Sequence, residues 1–109
     1  MYKCIFTITE KGIGDDVIAR TRALGAYGGT IISGRGSSLP ERSKWLNLLI
    51  KPEKDIVLTV VKEALVEPIK KDLTEKFSLE QHGKGILFVL PIEDVVGVDL
   101  PLEALKDET

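Results

Sequence analysis

The strongest constraint on the fold is the order in which strand and helix patterns follow one another along the chain. Runs of β-branched and other apolar residues predict strands over 2–8, 29–33, 55–61 and 86–91. Helical spacing of apolar residues predicts helices over 15–25 and 64–77, with Pro68 near the start of the second, where proline is tolerated. This order predicts an α+β, ferredoxin-like βαββαβ fold, in which a four-stranded antiparallel sheet carries two helices on one face.

The first helix has predicted ends and a predicted buried side. Asp15 and Asp16 precede the apolar pattern and are interpreted as capping the N-terminus of the helix. Gly25 is a typical C-terminal stop. The residues that recur at helical spacing are expected to face the sheet: Val17, Ile18, Thr21 and Leu24.

Length and composition indicate one domain. The chain has 109 residues, of which 43% are hydrophobic and 29% charged, as is typical of a globular domain. Residues 1–100 are expected to form the domain, and 101–109 an acidic tail. Residues 37–54 show no clear period, and a loop of that length inside a compact domain is typically functional or disordered.

Charge and reactive residues argue against several classes of function. A net charge of −2 is unlike a nucleic-acid binder with a basic face. No apolar run approaches the roughly 20 residues that cross a bilayer, and the first residues lack a signal-peptide pattern, so a cytoplasmic protein without direct membrane insertion is expected. The single cysteine, Cys4, is interpreted as a small apolar residue, and the single histidine, His82, as a loop residue. Neither a metal cluster nor a nucleophile–base pair can be assembled, so an enzyme is not expected.

The first glycine-rich segment follows the second predicted strand. Gly34, Gly36 and Ser37 could form a backbone nest facing an anion, with Arg35 supplying positive charge. The alternative is an ordinary strand-end turn, in which the glycines only permit positive φ. The segment does not have the spacing of a P-loop. From the residues alone, both interpretations stay open.

The second glycine-rich segment precedes the last strand. Lys84, or the amides of Gly83 and Gly85, could meet a phosphate across a cleft between subunits. The alternative is a tight connection from helix to strand that requires glycines.

Residues 45–50 form the most apolar part of the long central segment. In a projecting loop, the only tryptophan of the chain would be exposed beside aliphatic residues, as is typical of a partner surface. The alternative is an extra strand, or packing on a neighbouring subunit. The candidate partner-binding residues are Trp45, Leu46, Leu48, Leu49 and Ile50.

Over residues 2–98 the chain resembles the P-II signalling superfamily. The resemblance depends on Gly29-Thr30, on 34–36, on the run from Gly83 to Pro91, and on the length of the central segment, which is similar to the family's T-loop. It implies a homotrimer that binds adenine nucleotides between subunits and acts on partners through the T-loop. It also implies that Thr30 contacts an adenine or ribose edge and that Ile8 and Val61 pack on the ring, although such residues are usually core.

Three departures from the classical family pattern affect the expected ligand. Ile86 stands where classical members have a phosphate-binding lysine, and Gly97 and Asp99 replace their paired arginines. The T-loop has no tyrosine to accept a uridylyl group. We therefore expect no required cofactor, and an adenine nucleotide effector that is AMP or ADP more than ATP. A membrane transporter is a plausible partner, and the alternatives are a regulatory module for another small metabolite or a structural assembly subunit.

Overall fold

The computed structural model describes residues 1–36, 53–81 and 83–96. Four strands and two helices follow in the predicted order, each within two residues of its predicted ends: β1 (Tyr2–Glu10), α1 (Gly14–Ala23), β2 (Thr30–Arg35), β3 (Glu53–Lys62), α2 (Val66–Lys76) and β4 (Gly85–Pro91). A 3₁₀ turn over Glu63–Leu65 leads into α2. The strand order is β2-β3-β1-β4, with each neighbouring pair antiparallel, which confirms the ferredoxin-like fold.

Alternate residues of the central strands face the two helices and form the core. Ile5 of β1 and Val57 of β3 are fully buried, as are Val17 of α1 and Ile69 and Leu73 of α2. Removing these aliphatic side chains from water provides the main favourable free energy of folding. This packing leaves the other side of the sheet without a helix over it within the described residues.

The core also contains two hydroxyl groups that have no hydrogen-bond partner among the described residues. Thr7 and Thr59 are both fully buried on the helix side of the sheet, and neither Oγ1 has a partner. In contrast, the buried Thr21 Oγ1 donates to the carbonyl oxygen of Ile18 at 3.1 Å. A buried hydroxyl without a partner lowers stability, because it has lost its hydrogen bonds to water.

The start of α1 differs from the prediction. Ile13 occupies the N-cap position without a side-chain capping bond, whereas Asp15 and Asp16 lie in the first turn. The capping interpretation of these two residues was therefore wrong, although their charges still favour the positive end of the helix dipole. The carboxylate that meets the free N–H groups belongs to Asp55 of β3, whose Oδ2 accepts bonds from the backbone nitrogens of residues 12 and 14 at 2.9 and 3.0 Å.

The end of α1 is as predicted. Leu24 is the C-cap, and Gly25 follows with φ of +114°, a conformation that glycine adopts without steric cost. Its N–H donates to the carbonyl oxygen of Arg22 at 3.1 Å. Val17 and Thr21 are buried and Ile18 is half-buried, as the helical spacing predicts.

An ion pair joins the two helices on the outer layer of the molecule. Arg20 Nε donates to Asp72 Oδ2 at 3.0 Å, and Nη2 donates to Oδ1 at 2.5 Å. This two-point geometry suits the planar guanidinium group. The hydrogen bonds from Arg20 lower the pKa of Asp72, and the same interaction raises the pKa of Arg20.

Candidate ligand and assembly sites

The side of the sheet opposite α1 and α2, called the open face below, carries a continuous set of apolar side chains. The strand register aligns four isoleucines in one row and two phenylalanines in the next row: Ile32, Ile56, Ile8 and Ile86, then Thr30, Leu58, Phe6 and Phe88. Ile86 is 53% exposed and Ile32 is 46% exposed. The rings of Phe6 and Phe88 stack with their centroids 5.1 Å apart. Exposed apolar surface of this extent is typical of an interaction site.

The free thiol also belongs to the open face. Cys4 is half-buried and lies between Val60 and Leu90 in the strand register. Burial raises the pKa of the Cys4 thiol, an effect that a backbone hydrogen bond from Thr59 partly offsets. A raised pKa reduces the thiolate fraction, which agrees with the interpretation of Cys4 as a small apolar residue.

Two of the three residues expected to contact the nucleoside share the open face. Ile8 is half-buried and Thr30 is exposed, and they lie in neighbouring rows with β3 between their strands. Val61 faces the helices and is 2% exposed in the core. The described geometry therefore brings Ile8 and Thr30 to one surface and does not bring Val61 there; its neighbour Val60 lies on the open face instead.

The backbone conformation of the glycines at the end of β2 differs from the one that the strand-end turn interpretation requires. Neither Gly34 nor Gly36 adopts positive φ. A Cβ on Gly34 would lie 3.0 Å from Ile56 Cδ1, whereas one on Gly36 would meet nothing nearer than Lys54 Cγ at 3.9 Å. Gly36 thus has neither a conformational nor a close steric reason for being glycine within the described residues.

The glycines before β4 are required by the backbone. Gly83 has φ of +82° and Gly85 has φ of +153°. A Cβ on Gly85 would lie 2.7 Å from the carbonyl oxygen of Ile8 and 3.0 Å from Leu79 Cδ2. The tight-connection interpretation therefore accounts for these two glycines. Lys84 between them is exposed, and its contact with a phosphate stays a prediction.

Both glycine segments lie at the same end of the sheet but at opposite edges. In the register, Arg35 pairs with Glu53, Lys54 with Glu10, and Gly85 with Thr9. β2 and β4 are the two edge strands, with β3 and β1 between them. At about 4.8 Å per strand, three spacings separate the two segments by about 14 Å.

A groove beside the end of β2 brings together residues that the sequence did not connect. This strand-end groove has a volume of about 210 Å³ and is lined by Lys11, Ser33, Gly34, Arg35 and Glu53. Arg35 and Glu53 are paired residues of β2 and β3, whereas Lys11 comes from the turn between β1 and α1. Of these five residues, only Gly34 and Arg35 are among the candidates from the sequence.

An ion pair dominates the electrostatics of the strand-end groove. Lys11 Nζ lies 2.5 Å from Glu53 Oε2. The hydrogen bond and charge of Lys11 lower the pKa of Glu53, with a smaller contribution from Arg35, and the same ion pair raises the pKa of Lys11. The groove thus holds one carboxylate that is bonded to one cation, Lys11, and has a second cation, Arg35, nearby.

Several candidate residues lie outside the described part of the chain. These are Ser37, His82 and the five partner-binding candidates Trp45, Leu46, Leu48, Leu49 and Ile50. The same is true of Gly97 and Asp99 and of the expected acidic tail. Their roles stay predictions.

Residues 1–36, 53–81 and 83–96 contain neither a metal-ligand cluster nor a membrane-spanning helix. Within these ranges no three His, Cys, Asp or Glu residues are placed to hold a metal ion. In the same ranges no helix is both long and apolar enough to cross a membrane.

The described residues form a ferredoxin-like fold with an apolar open face and two glycine segments at one end of the sheet. The sequence profile of the nitrogen regulatory protein P-II family matches residues 2–99, and the chain belongs to this family. Proteins of the family are signalling regulators that typically assemble as trimers and interact with partners. The chain is accordingly a P-II-like signalling protein.

Comparison with solved structures supports the fold. The chain is similar to the crystal structure of a PII-like signalling protein from Thermus thermophilus, with a TM-score of 0.61 and 22% sequence identity. The match covers 81% of this chain and 82% of that chain. No curated protein matches the sequence.

Proposed function

We propose that the chain forms a homotrimer that binds an adenine nucleotide in the clefts between its subunits. The nucleotide is AMP or ADP in preference to ATP, and no other cofactor is required. The bound state is passed to a protein partner, such as a membrane transporter, through residues 37–54, and the protein acts in the cytoplasm.

The observation that carries this proposal is the apolar open face. Phe88 is 38% exposed and Leu90 is 42% exposed, beside the exposed isoleucines of the same face. Leaving these side chains in water is unfavourable, and subunit association removes them from it. A trimer, the typical assembly of the family, is therefore the state that we expect in solution.

The position of the glycine segments supports a site between subunits. Within one chain, about 14 Å separates the end of β2 from the start of β4, so one phosphate group cannot contact both. The two segments belong to opposite edges of the sheet, and an edge of one subunit can approach the opposite edge of the next. A ligand in such a cleft would contact Gly36 of one chain and Lys84 of another.

The described charges support a ligand with few phosphates. Ile86, which replaces the classical phosphate-binding lysine, is an exposed apolar residue of the open face. The cations nearest the glycine segments are Arg35, Lys54 and Lys84, with Lys11 beside Arg35 in the strand-end groove. Fewer cations stabilise fewer negative charges, so each added phosphate should bring less affinity than in classical members.

The proposed partner contact rests on sequence. Residues 45–50 place a tryptophan among aliphatic residues, and tryptophan is enriched among the residues that contribute most to binding energy at protein interfaces. The segment connects β2 to β3, so a ligand at Gly36 would contact the chain where it enters this segment. A ligand that favours one arrangement of the segment would thereby change the affinity for the partner.

Calorimetry and light scattering together test the proposal. Size-exclusion chromatography with multi-angle light scattering should give three times the chain mass, which is 12.0 kDa. Isothermal titration with AMP, ADP and ATP at one ionic strength should give tighter binding of AMP or ADP than of ATP. Tight ATP binding without AMP or ADP binding would contradict the proposed preference. A trimer that binds none of the three would favour a structural subunit or a module for another metabolite.

A further inference from the structure

The strand-end groove contains a carboxylate of the protein beside two cations. Glu53 forms an ion pair with Lys11, and Arg35 is its register partner on the neighbouring strand β2. Ser33 lines the same groove and contributes a hydroxyl donor. Two cations and a hydroxyl are typical of sites that recognise phosphate.

A second acid near the groove, Asp55, is already engaged. Asp55 follows Glu53 by two residues on the same face of β3, but it is only 8% exposed. Its Oδ2 accepts the backbone N–H groups of Gly12 and Gly14. Asp55 is therefore held by the turn before α1, and Glu53 is the acid that shares the groove with its two cations.

We propose that the strand-end groove is a phosphate-binding site in which Glu53 acts as an internal competitor. In the ligand-free chain the Glu53 carboxylate is bonded to Lys11, and its charge also acts on the neighbouring Arg35. A phosphate group displaces it and takes Lys11 and Arg35 as partners. This inference rests on the proposed function only in that the effector carries phosphate, and it adds Lys11 and Glu53 as residues that set the affinity.

The exposure of the ion pair makes this exchange feasible. The side chains of Lys11 and Glu53 are 66% and 51% exposed. Exposed ion pairs contribute little to stability, because solvent screens them and both side chains lose freedom. A phosphate dianion carries more charge than one carboxylate and can accept two parallel N–H bonds from one edge of the Arg35 guanidinium, so it can displace Glu53 from Lys11 at small cost.

The site also has a position that suits regulation. Arg35 is the last residue of β2 and Glu53 is the first residue of β3, so they flank the segment 37–52. In the free chain, the Lys11–Glu53 bond ties the start of β3 to the turn after β1. Bound phosphate breaks this ion pair and contacts Lys11 and Arg35 instead, close to the start of β3, where the chain leaves the segment.

Inorganic pyrophosphate is the probe, because it has the charged groups of the ligand without its base. We compare Glu53→Gln with Glu67→Gln by isothermal titration of the full chain at fixed ionic strength. The control also removes one negative charge and also breaks an exposed ion pair, Glu67 with Lys70 on α2. Glu53→Gln should tighten pyrophosphate binding by about 3- to 10-fold, the change expected from removing one screened like charge, and Glu67→Gln by less than about 2-fold.

A second pair of variants tests whether Lys11 contributes to phosphate binding. Lys11→Gln should weaken pyrophosphate binding by about 10-fold, whereas Lys70→Gln should leave it within about 2-fold of wild type. Circular dichroism spectra that match wild type establish that each variant is folded. Equal effects in the groove and control variants would overturn the inference, since they would reflect net charge alone, as would an absence of pyrophosphate binding.

Parallel titrations with ADP separate this inference from the proposed function. Pyrophosphate binding that responds to Glu53→Gln, with no ADP binding, would support the groove and contradict the nucleotide proposal. ADP binding that is unchanged in both Glu53→Gln and Lys11→Gln would support the nucleotide proposal and contradict the proposal that the groove binds phosphate.

Discussion

Asp55 Oδ2 lies 3.0 Å from the backbone nitrogen of Gly14, so a carboxylate of β3 meets the first residue of α1. The contact is tight, since a Cβ on Gly14 would lie 2.8 Å from the same oxygen. This bond and the one from Gly12 satisfy N–H groups that no side chain near them in sequence reaches. Asp55 therefore connects the sheet to the first helix at the end of the molecule that carries the strand-end groove.

Asp55→Ala should destabilise the protein markedly. It leaves the amides of Gly12 and Gly14 without their carboxylate partner, and hydrogen bonds to a charged group contribute about 1.5–3 kcal/mol. Urea unfolding followed by circular dichroism measures the change. Asp15→Ala is the control, because Asp15 only interacts with the helix dipole and should cost less than about 1 kcal/mol. Equal losses of stability in the two variants would show that the hydrogen bonds from Gly12 and Gly14 to Asp55 have no special role.

Alanine substitutions at Gly85 and Gly36 should separate a structural glycine from a binding one. Gly85→Ala places a Cβ 2.7 Å from the Ile8 carbonyl oxygen at φ of +153°, and should cost more than about 2 kcal/mol of stability. Gly36→Ala meets nothing within 3.4 Å and should leave unfolding within about 0.5 kcal/mol of wild type. If Gly36 contacts the effector, the same variant should weaken ADP binding in calorimetry. An unfolding change at Gly36 as large as that at Gly85 would contradict this distinction.

Thr59→Val should stabilise the protein. The Thr59 hydroxyl is fully buried without a partner in the described residues, and removing an unpaired polar group should raise the free energy of unfolding by about 1 kcal/mol. Thr21→Val is the matched control, because it removes a hydroxyl bonded to the Ile18 carbonyl and should not stabilise. Thermal and urea unfolding measure both. A loss of stability in Thr59→Val would indicate that its hydroxyl has a partner in solution.

The ion pair between Arg20 and Asp72 should give the protein a pH-dependent part of its stability. The folded-state pKa of Asp72 is lowered by Arg20, so the unfolded chain binds the proton more readily. The contribution is therefore complete above the ordinary carboxyl pKa and is lost as the pH falls through the lowered value. The stability difference between wild type and Asp72→Asn should be largest at neutral pH and shrink in acid. Glu75→Gln, on the same helix, serves as the control, and a difference that stays constant with pH would contradict the prediction.

The sequence was sufficient to predict the elements that depend on residues close together in the chain. The helical spacing of Val17 and Thr21 and the stop at Gly25 predict α1 correctly, because periodicity and backbone freedom act within a few residues. The order of strands and helices then limits the topology to the one found. The cap on α1 was missed because Asp55 is 41 residues away from Gly14 in the chain.

The candidate site was less predictable because it depends on strand register. A shift of one residue moves a side chain to the opposite face of a sheet, and this is why Val61 is in the core while Val60 lies on the open face. Lys11 and Glu53 are charged residues that look like ordinary surface in the sequence. Only the turn after β1 and the pairing of β2 with β3 bring them beside Arg35.

The most direct test of a binding site between subunits is ADP titration of wild type beside a monomeric variant. Phe88→Lys places a charge in the open face, against the Phe6 ring, and should give a folded chain of single-subunit mass in light scattering. Val96→Lys is the control, since Val96 is 91% exposed and lies outside the sheet. We predict that wild type and Val96→Lys bind ADP as trimers and that monomeric Phe88→Lys loses the binding. A folded Phe88→Lys monomer that binds ADP with unchanged affinity would contradict the account.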